Sequence, residues 1–421
     1  MNYIAIKDIV RSVSQTHKFE KDYLKAVNTS DVFGGELLDV PYSETTSLKG
    51  QFKKTIQFND ILFSEIRPAN RRFGRVNIKD TADYVVSTKL MVLRKFNEDV
   101  DLDYFYYCLT NQSFLEILQR RAENRIGSFP QITFDLLGDY RFPIPTLAEQ
   151  KRIASVIANI DSKIKINQEI NRNLEAMARQ LYDYWFVQFD FPDENGRPYK
   201  SSGGKMVWNE KLKRDIPEGW DIKKLCEIEP NIITGKTPST SHPEYFGGDI
   251  PFVTIDDIRT SRVVRCSART LTATGAKTQC KKFIPFGSLM CSCIGTVGVM
   301  GFCGCDLQTN QQINSIVFRD PDNSQYIFFA LEKYFASADA KVGNILPNMS
   351  KQEFGDIPII YPQLQLLKEY AKLVNNYFDY ISINCKELES LIRQRDELLP
   401  LLMNGQVSVM PPEVNCDLYH D

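Results

Sequence analysis

The chain has 421 residues, with 51 Lys and Arg against 53 Asp and Glu and a net charge of −2. That length admits two domains. At 43% hydrophobic and 25% charged residues the composition is that of an ordinary globular protein, which argues against a disordered or fibrous chain. The near-neutral balance excludes a global basic field, so any surface for a polyanion has to be local. Ten cysteines are scattered along the chain, and the start MNYIAIKDIVRS lacks the basic-then-apolar pattern of a secretory signal. Reduced thiols in a cytoplasmic protein are therefore expected.

Residues 1–146 show short β-type runs at 55–58, 61–63, 84–86 and 90–93, then helical patches over 102–118, which predicts a mixed α+β domain. Residues 147–190 read as one long helix. Ile153, Ile157, Ile160, Ile164, Asn167, Asn171, Leu174, Ala178, Leu181 and Trp185 recur at alternating steps of four and three, the seam of a coiled coil. The two asparagines interrupt the apolar seam, and such residues commonly fix register at some expense of stability. Residues 191–216, rich in Gly, Pro, Ser and charge, read as a linker or extended arm.

A second β-rich domain spans 217–362. Its uncharged stretch 283–305 is long enough for a membrane helix, but Pro285 and glycines 287, 295, 298, 301 and 304 suit buried strands joined by tight turns. Residues 363–405 form a second long helix, and 406–421 a C-terminal tail. Its seam runs through Leu364, Leu367, Ala371, Val374, Phe378, Ile381, Cys385, Leu388, Ile392, Arg395, Leu399 and Leu402. Two core helices of a bundle are the blander reading, but glycine-free seams of this length rarely serve a compact core.

The halves align at an offset of 217 residues. Pro130 meets Pro347, Gln131 meets Asn348, Ile132 meets Met349, Gly138 meets Gly355, Asp139 meets Asp356, and Pro145 meets Pro362. The seams follow, Ile157 with Val374, Ile164 with Ile381 and Asn171 with Leu388. Domain and helix are thus repeated once. Inside the domains only NDILFSEIRP (59–68) against FGSLMCSCIG (286–295) aligns. If the helices pair antiparallel, the domains are related by a pseudo-twofold axis, which suits spaced half-sites on duplex DNA.

Catalytic signatures are missing. The GKT at 235–237 has Pro230 where a phosphate-binding loop needs glycine. No G-x-G-x-x-G follows a strand, and the three histidines, His17, His242 and His420, mark no nucleophile pair. Cys291, Cys293, Cys303 and Cys305 offer four thiols, but in C-x-C spacing on strand-like runs, so buried small cysteines are favoured over zinc. No metal site is assigned.

Local basic and amide-bearing clusters are the candidates for DNA contact. In the first domain they are Arg67, Asn70, Arg71, Arg72 and Arg75, then Arg120, Arg121 and Arg125 running into Gln131. In the second they are Arg259, Arg262, Arg265 and Arg269, then Lys277, Lys281 and Lys282, with Asn310, Gln311 and Gln312 suited to adenine edges. Arginine suits guanine O6 and N7 or a phosphate. Each residue alone reads more readily as a solvated surface group, and only the clusters favour DNA contact. Tyr182, Tyr184, Trp185 and Phe186 cluster at the end of the first helix and suit either a subunit-docking surface or the helix-pair core.

LAEQKRIASVIANIDSKI, NRNLEAMARQLYDYWFVQFDF and GRPYKSSGGKMVWNEKLKRDIPEGW resemble the central conserved region of the specificity (S) subunits of type I restriction–modification systems. ITGKTPSTSHPEYFGGDIPFVTIDDI is similar to the start of a target-recognition domain, and LESLIRQRDELLPLLMNGQVSV to the distal conserved region of that family. The resemblance covers the whole chain. It implies an α+β fold of two pseudo-repeated target-recognition domains separated by two long antiparallel coiled-coil helices. It implies a non-catalytic reader of double-stranded DNA, each domain reading half of a bipartite site. The helices would set the spacer and dock two methyltransferase (M) subunits, with Glu149, Gln150, Tyr182, Trp185 and Phe186 as interface residues. S-adenosylmethionine would belong to the M subunits, and ATP and Mg to restriction (R) subunits, with no cofactor in this chain and no membrane partner. The second exit carries Leu366 and Leu367 where the first has Glu149 and Gln150, so the two docking faces are not expected to be equivalent. The competing readings are a coiled-coil protein–protein adaptor without DNA binding and a self-contained enzyme.

Overall fold

A computed structural model describes residues 2–48, 50–124, 130–342 and 348–409, apart from the side chains of 339–342. The chain divides into two compact units, Met1–Lys165 with Glu389–Asp421, and Ile166–Leu388. Both long helices are cut by this division, so each unit contains one domain and one stretch of the helix pair.

In the first unit the central sheet runs in the order Val10–Ser12, Leu90–Lys95, Ile61–Ser64, Phe73–Arg75, all antiparallel. Its strands Ile61–Ser64 and Leu90–Lys95 are nearly all buried apolar residues, which fits a sheet covered on both faces. A second sheet holds a parallel pair, Tyr23–Val27 with Tyr84–Ser87. Helices Leu102–Thr110 and Gln112–Glu123 close one face, and Ile6, Phe63, Phe105 and Leu115 share their core with Ile157, Leu399 and Leu402 of the long helices.

The second unit repeats that order. Its sheet runs Ile232–Thr234, Ile313–Ile316, Leu289–Ser292, Met300–Cys303, with Val263–Val264 added at the edge in parallel. Phe246–Val253 again pairs in parallel, with Gln308–Thr309. The uncharged stretch 283–305 therefore forms two buried strands and their turns. Among the described residues, no helix is long and apolar enough to cross a membrane.

Backbone pairing sets the true internal alignment. The Ile132 amide donates to the Glu65 carbonyl at 2.7 Å, and the Met349 amide to the Cys293 carbonyl at 2.8 Å. The Ser64 amide donates to Arg72 and the Ser292 amide to Val299. Ser64 therefore corresponds to Ser292 and Glu65 to Cys293, one residue away from the sequence alignment of 59–68 with 286–295. In strands such a slip exchanges the two faces. Only the hydrogen bonds, which the sequence does not display, fix it.

The first long helix spans Leu147–Tyr182, followed by a π turn over Asp183–Val187; the second spans Leu364–Met403. Thr146 and Glu149 start the first as a capping box, the Thr146 hydroxyl donating to the Glu149 carboxylate at 2.8 Å. In the first unit, Arg395 of the second helix pairs with Asp161 of the first at 3.1 Å. In the second unit, the Asn384 amide donates to Asn171 Oδ1 at 3.0 Å, and Tyr370 lies beside Ala178. Within the second unit the partner number falls as the other rises, so the helices run antiparallel there.

The seam is buried at Ile157, Ile164, Val374 and Ile381 and half-buried at Asn167, Asn171, Leu174 and Leu388. It departs from the sequence reading at both ends of the second helix. Leu364 is exposed, and Ile392 yields its place to Leu391. Residues 191–216 are not a free linker. Phe191 stacks between Tyr199 at 4.6 Å and Trp220 at 5.2 Å, and Met206–Asn209 forms a hairpin with Arg214–Pro217.

Candidate nucleic-acid interface

In the first unit the strand Ile61–Ser64 leads into the turn that carries Arg67, Asn70, Arg71 and Arg72. Pro68–Asn70 is a 3-10 turn with buried Pro68 at its start. The Arg67 amide donates to the Pro130 carbonyl, the Arg71 amide to Pro68, and the Ala69 amide to Gln119 Oε1 at 3.2 Å. Arg67 and Arg71 both have left-handed backbones, with φ 48° and 53°. Arg72 donates to the Ser30 carbonyl and lies 5.1 Å over Phe33. Gln131 is exposed nearby, bonded to Glu65 at 2.9 Å. The structure thus brings Arg67, Asn70, Arg71, Arg72 and Gln131 together. Arg75 is half-buried and already held by Asn59 and Asp103, and Arg125 lies outside the described residues.

In the second unit the equivalent turn, 293–298, has Gly295 and Gly298 at φ 84° and 88° and no arginine. Its neighbours supply the polar groups. Arg259 is exposed and donates to Thr296 Oγ1 at 2.8 Å, and the Gly295 amide donates to Asn348 Oδ1 at 2.9 Å. The GKT segment lies against Asn310 and Gln311. A Cβ on Gly235 would fall 2.1 Å from the Asn310 carbonyl oxygen, so only glycine permits this approach. Thr237 then donates to Gln311 Oε1 at 2.7 Å, and Lys236 is exposed beside them. The sequence reading weighed Lys236 and Thr237 only as part of a phosphate-binding loop, and it named neither them nor Thr296 and Asn348 as DNA-contact candidates. Asn348 had a signal, its alignment with Gln131. Asn310 spends its amide on Gln312 at 2.9 Å, while Lys277 and Lys281 are exposed and Arg265 is half-buried.

Several sequence candidates belong to the interior instead. The Arg262 side chain is almost enclosed in an aromatic cage, 3.7 Å from the ring centroid of Phe328 and 4.5 Å from that of Phe378, with Glu175 at 3.4 Å. Burial pushes its guanidinium down to about 10, opposed by Glu175 and Glu332. It cannot reach DNA. Gln150 is fully buried; it accepts from the Asp101 amide at 2.7 Å and donates to the Asp99 and Pro145 carbonyls. Tyr182, Trp185 and Phe186 are core residues of the second unit, where Phe186 meets Tyr326 at 4.7 Å and Tyr370 at 4.9 Å. Their apolar surface is already covered, so they offer no docking surface. Glu149 is half-buried, and its carboxylate serves the helix cap, which lowers its pKa.

The four cysteines do not converge. Cys291 and Cys293 lie in the main apolar core of the second unit, Cys303 in a separate apolar cluster, and Cys305 donates to the Arg265 carbonyl. Among the described residues, no group of three or more His, Cys, Asp or Glu is placed to hold a metal ion.

The family model for the type I restriction modification DNA specificity domain matches residues 1–176 and 217–393. The chain belongs to this family of type I specificity subunits. It is 32% identical to the type I restriction enzyme HindI specificity subunit of Haemophilus influenzae, over 96% of this chain and 98% of that protein. It is 24% identical to the MjaIX specificity subunit of Methanocaldococcus jannaschii, over 73% of this chain and 69% of that one. The crystal structure of a type I restriction–modification S subunit from M. genitalium shares the fold, with a TM-score of 0.50 at 17% identity over 96% of each chain.

Proposed function

We propose that this chain supplies the DNA sequence specificity of a type I restriction–modification complex, each domain reading one half of a bipartite asymmetric site. The observation that carries this reading is the pair of equivalent loops. The two units have one strand order and one loop position, yet the loops display different side chains, arginines in the first and glycines flanked by amides and Lys236 in the second. One scaffold with two chemistries is what two unlike half-sites require.

The helix pair then sets the spacer and docks two methyltransferase subunits. The docking residues are the outward apolar positions of the helices. In the second unit these are Ile166, Ile170 and Met177 on the first helix, and Leu373, Tyr380 and Ile383 on the second, all exposed. Methyl transfer from S-adenosylmethionine to adenine, and ATP- and Mg-dependent cleavage, belong on this reading to the M and R subunits, in the cytoplasm. This chain itself is non-catalytic.

The test is to map adenine methylation in a host expressing this chain with its methyltransferase, against the same host without it. One asymmetric two-part motif present only with the chain is expected. Unchanged methylation would favour a coiled-coil adaptor that does not bind DNA.

A further inference from the structure

Building on the reading that each domain reads half a site, we propose that Arg67 and Arg71 are the guanine-reading residues of the first domain. They are held in place by a left-handed backbone at two positions that the equivalent loop of the second domain gives to glycine.

The correspondence rests on hydrogen bonds rather than on sequence. At the start of the loop the Ser64 and Ser292 amides donate to the Arg72 and Val299 carbonyls respectively, and the Glu65 and Cys293 carbonyls each receive an amide from the domain exit. Counting inward from these anchors, Arg67 falls on Gly295 and Arg71 on Gly298. All four residues have positive φ, 48° and 53° for the arginines, 84° and 88° for the glycines. The two loops therefore place a left-handed residue at the same two anchored positions, although the first is one residue longer, and glycine is the undemanding solution there. At Gly298 a side chain would also strike Phe335 at 2.9 Å, but at Gly295 the nearest atom is 3.6 Å away, so conformation and not space explains glycine there.

The first domain gives up that solution twice in five residues. A left-handed backbone is unfavourable for an L-residue, and such strain persists where the side chain has work to do. Arginine also has no local reason to be there. Among the described residues neither guanidinium has an ion-pair partner; Arg67 is exposed, and Arg71 lies 6.0 Å from the Phe73 ring centroid. The backbone beneath them is fixed by Pro68, by the Asn70 amide bonded to Arg67 at 2.9 Å, and by Gln119. A phosphate contact tolerates a long arginine anchored at many points nearby. A bidentate contact to guanine O6 and N7 tolerates few, because the fork must lie in the base plane. A costly backbone direction is worth keeping only for the second.

The experiment uses the full chain with its methyltransferase subunits, as wild type, Arg67→Gly, Arg71→Gly and Arg67→Asn, the last because asparagine tolerates a left-handed backbone. Methylated motifs are mapped, and binding is measured on duplexes with each guanine of the first half-site replaced. Each variant is expected to relax one guanine of that half-site and leave the other half-site intact. The penalty of the matching guanine replacement should fall from about 10-fold or more to none. Arg67→Gly is also expected to raise the unfolding midpoint of the free chain by about 2–4 °C. An unchanged motif with uniformly weaker binding and a shallower salt dependence would make these arginines phosphate contacts and overturn the inference, as would a first half-site without guanine. A lower midpoint for both Arg67 variants would overturn the strain argument. If wild type directs no motif at all, the proposed function falls; if its motif is intact and the variants share it, only this inference does.

Discussion

Lys7 Nζ lies 2.7 Å from Asp139 Oδ1 in the first unit, and Lys224 Nζ lies 2.7 Å from Asp356 Oδ1 in the second. The aspartates are equivalent, each following the glycine that ends a short helix, Phe134–Gly138 and Lys351–Gly355. The lysines are not. Lys7 packs its Cβ toward Gly138, and the residue doing so toward Gly355 is Cys226, two positions beyond Lys224. The same ion pair is thus built from different backbone positions. Lys7 holds Asp139 below the usual carboxylate range, so the pair's contribution is present at neutral pH and fades as pH falls through that lowered value. Both pairs are exposed, so Asp139→Asn and Asp356→Asn are expected to melt with the wild type at pH 7. A clear drop in either midpoint would show that the pair braces the exit.

Arg262→Ala empties the aromatic cage and leaves half-buried Glu175 without its partner, and a loss of about 3–5 kcal/mol is expected in denaturant titrations. Arg262→Met with Glu175→Gln removes both charges and should recover most of it. The salt dependence of DNA binding should not move in the folded double variant, because this arginine does not touch phosphate.

Trp185→Ala is expected to destabilise the chain by about 3–5 kcal/mol with no partner subunit present. A docking residue would instead leave the isolated chain untouched and weaken only assembly. By contrast, Ile170→Asp and Tyr380→Asp on the outward helix faces should leave the melting of the free chain unaltered and reduce capture of the methyltransferase.

Gln150→Ala orphans the Asp101 amide and two carbonyls around the start of the first long helix. About 1–3 kcal/mol per unsatisfied buried group is the expected scale, read by urea unfolding of the full chain.

The helices and the repeat were legible in the sequence, because an apolar seam of step three and four stands out without any structural detail, whereas their antiparallel sense came only as what the family resemblance implies. The strands themselves were partly legible, since Ile61–Ser64 and Leu90–Lys95 are apolar runs of the right length, but their order was not. What escaped was set by tertiary neighbours. Trp185 and Phe186 look like anchors until Tyr326 and Tyr370 cover them, and Arg262 looks like a surface charge until Phe328 and Phe378 do. Thr146–Glu149 carries the T-x-x-E pattern of a capping box, which the docking reading of Glu149 overlooked. The candidate site was legible as clusters, but not as a loop, because left-handed backbones at Arg67 and Arg71 leave no mark in composition.

The hydrogen bond between Asn384 and Asn171 restricts how this molecule is able to change. Sliding one helix past the other by a turn would leave two amides stranded against Leu174, Ile381 and their neighbours, so added residues in a single helix have nowhere to be absorbed. One heptad added to both helices is expected to lengthen the recognised spacer by about three base pairs with both half-sites unaltered, and one heptad added to a single helix to abolish recognition, as read by methylation mapping. New spacings would then be reached through matched duplications in two distant parts of the gene. Variation in the recognition loops needs no such coordination, so the half-sites are free to drift faster than the gap between them.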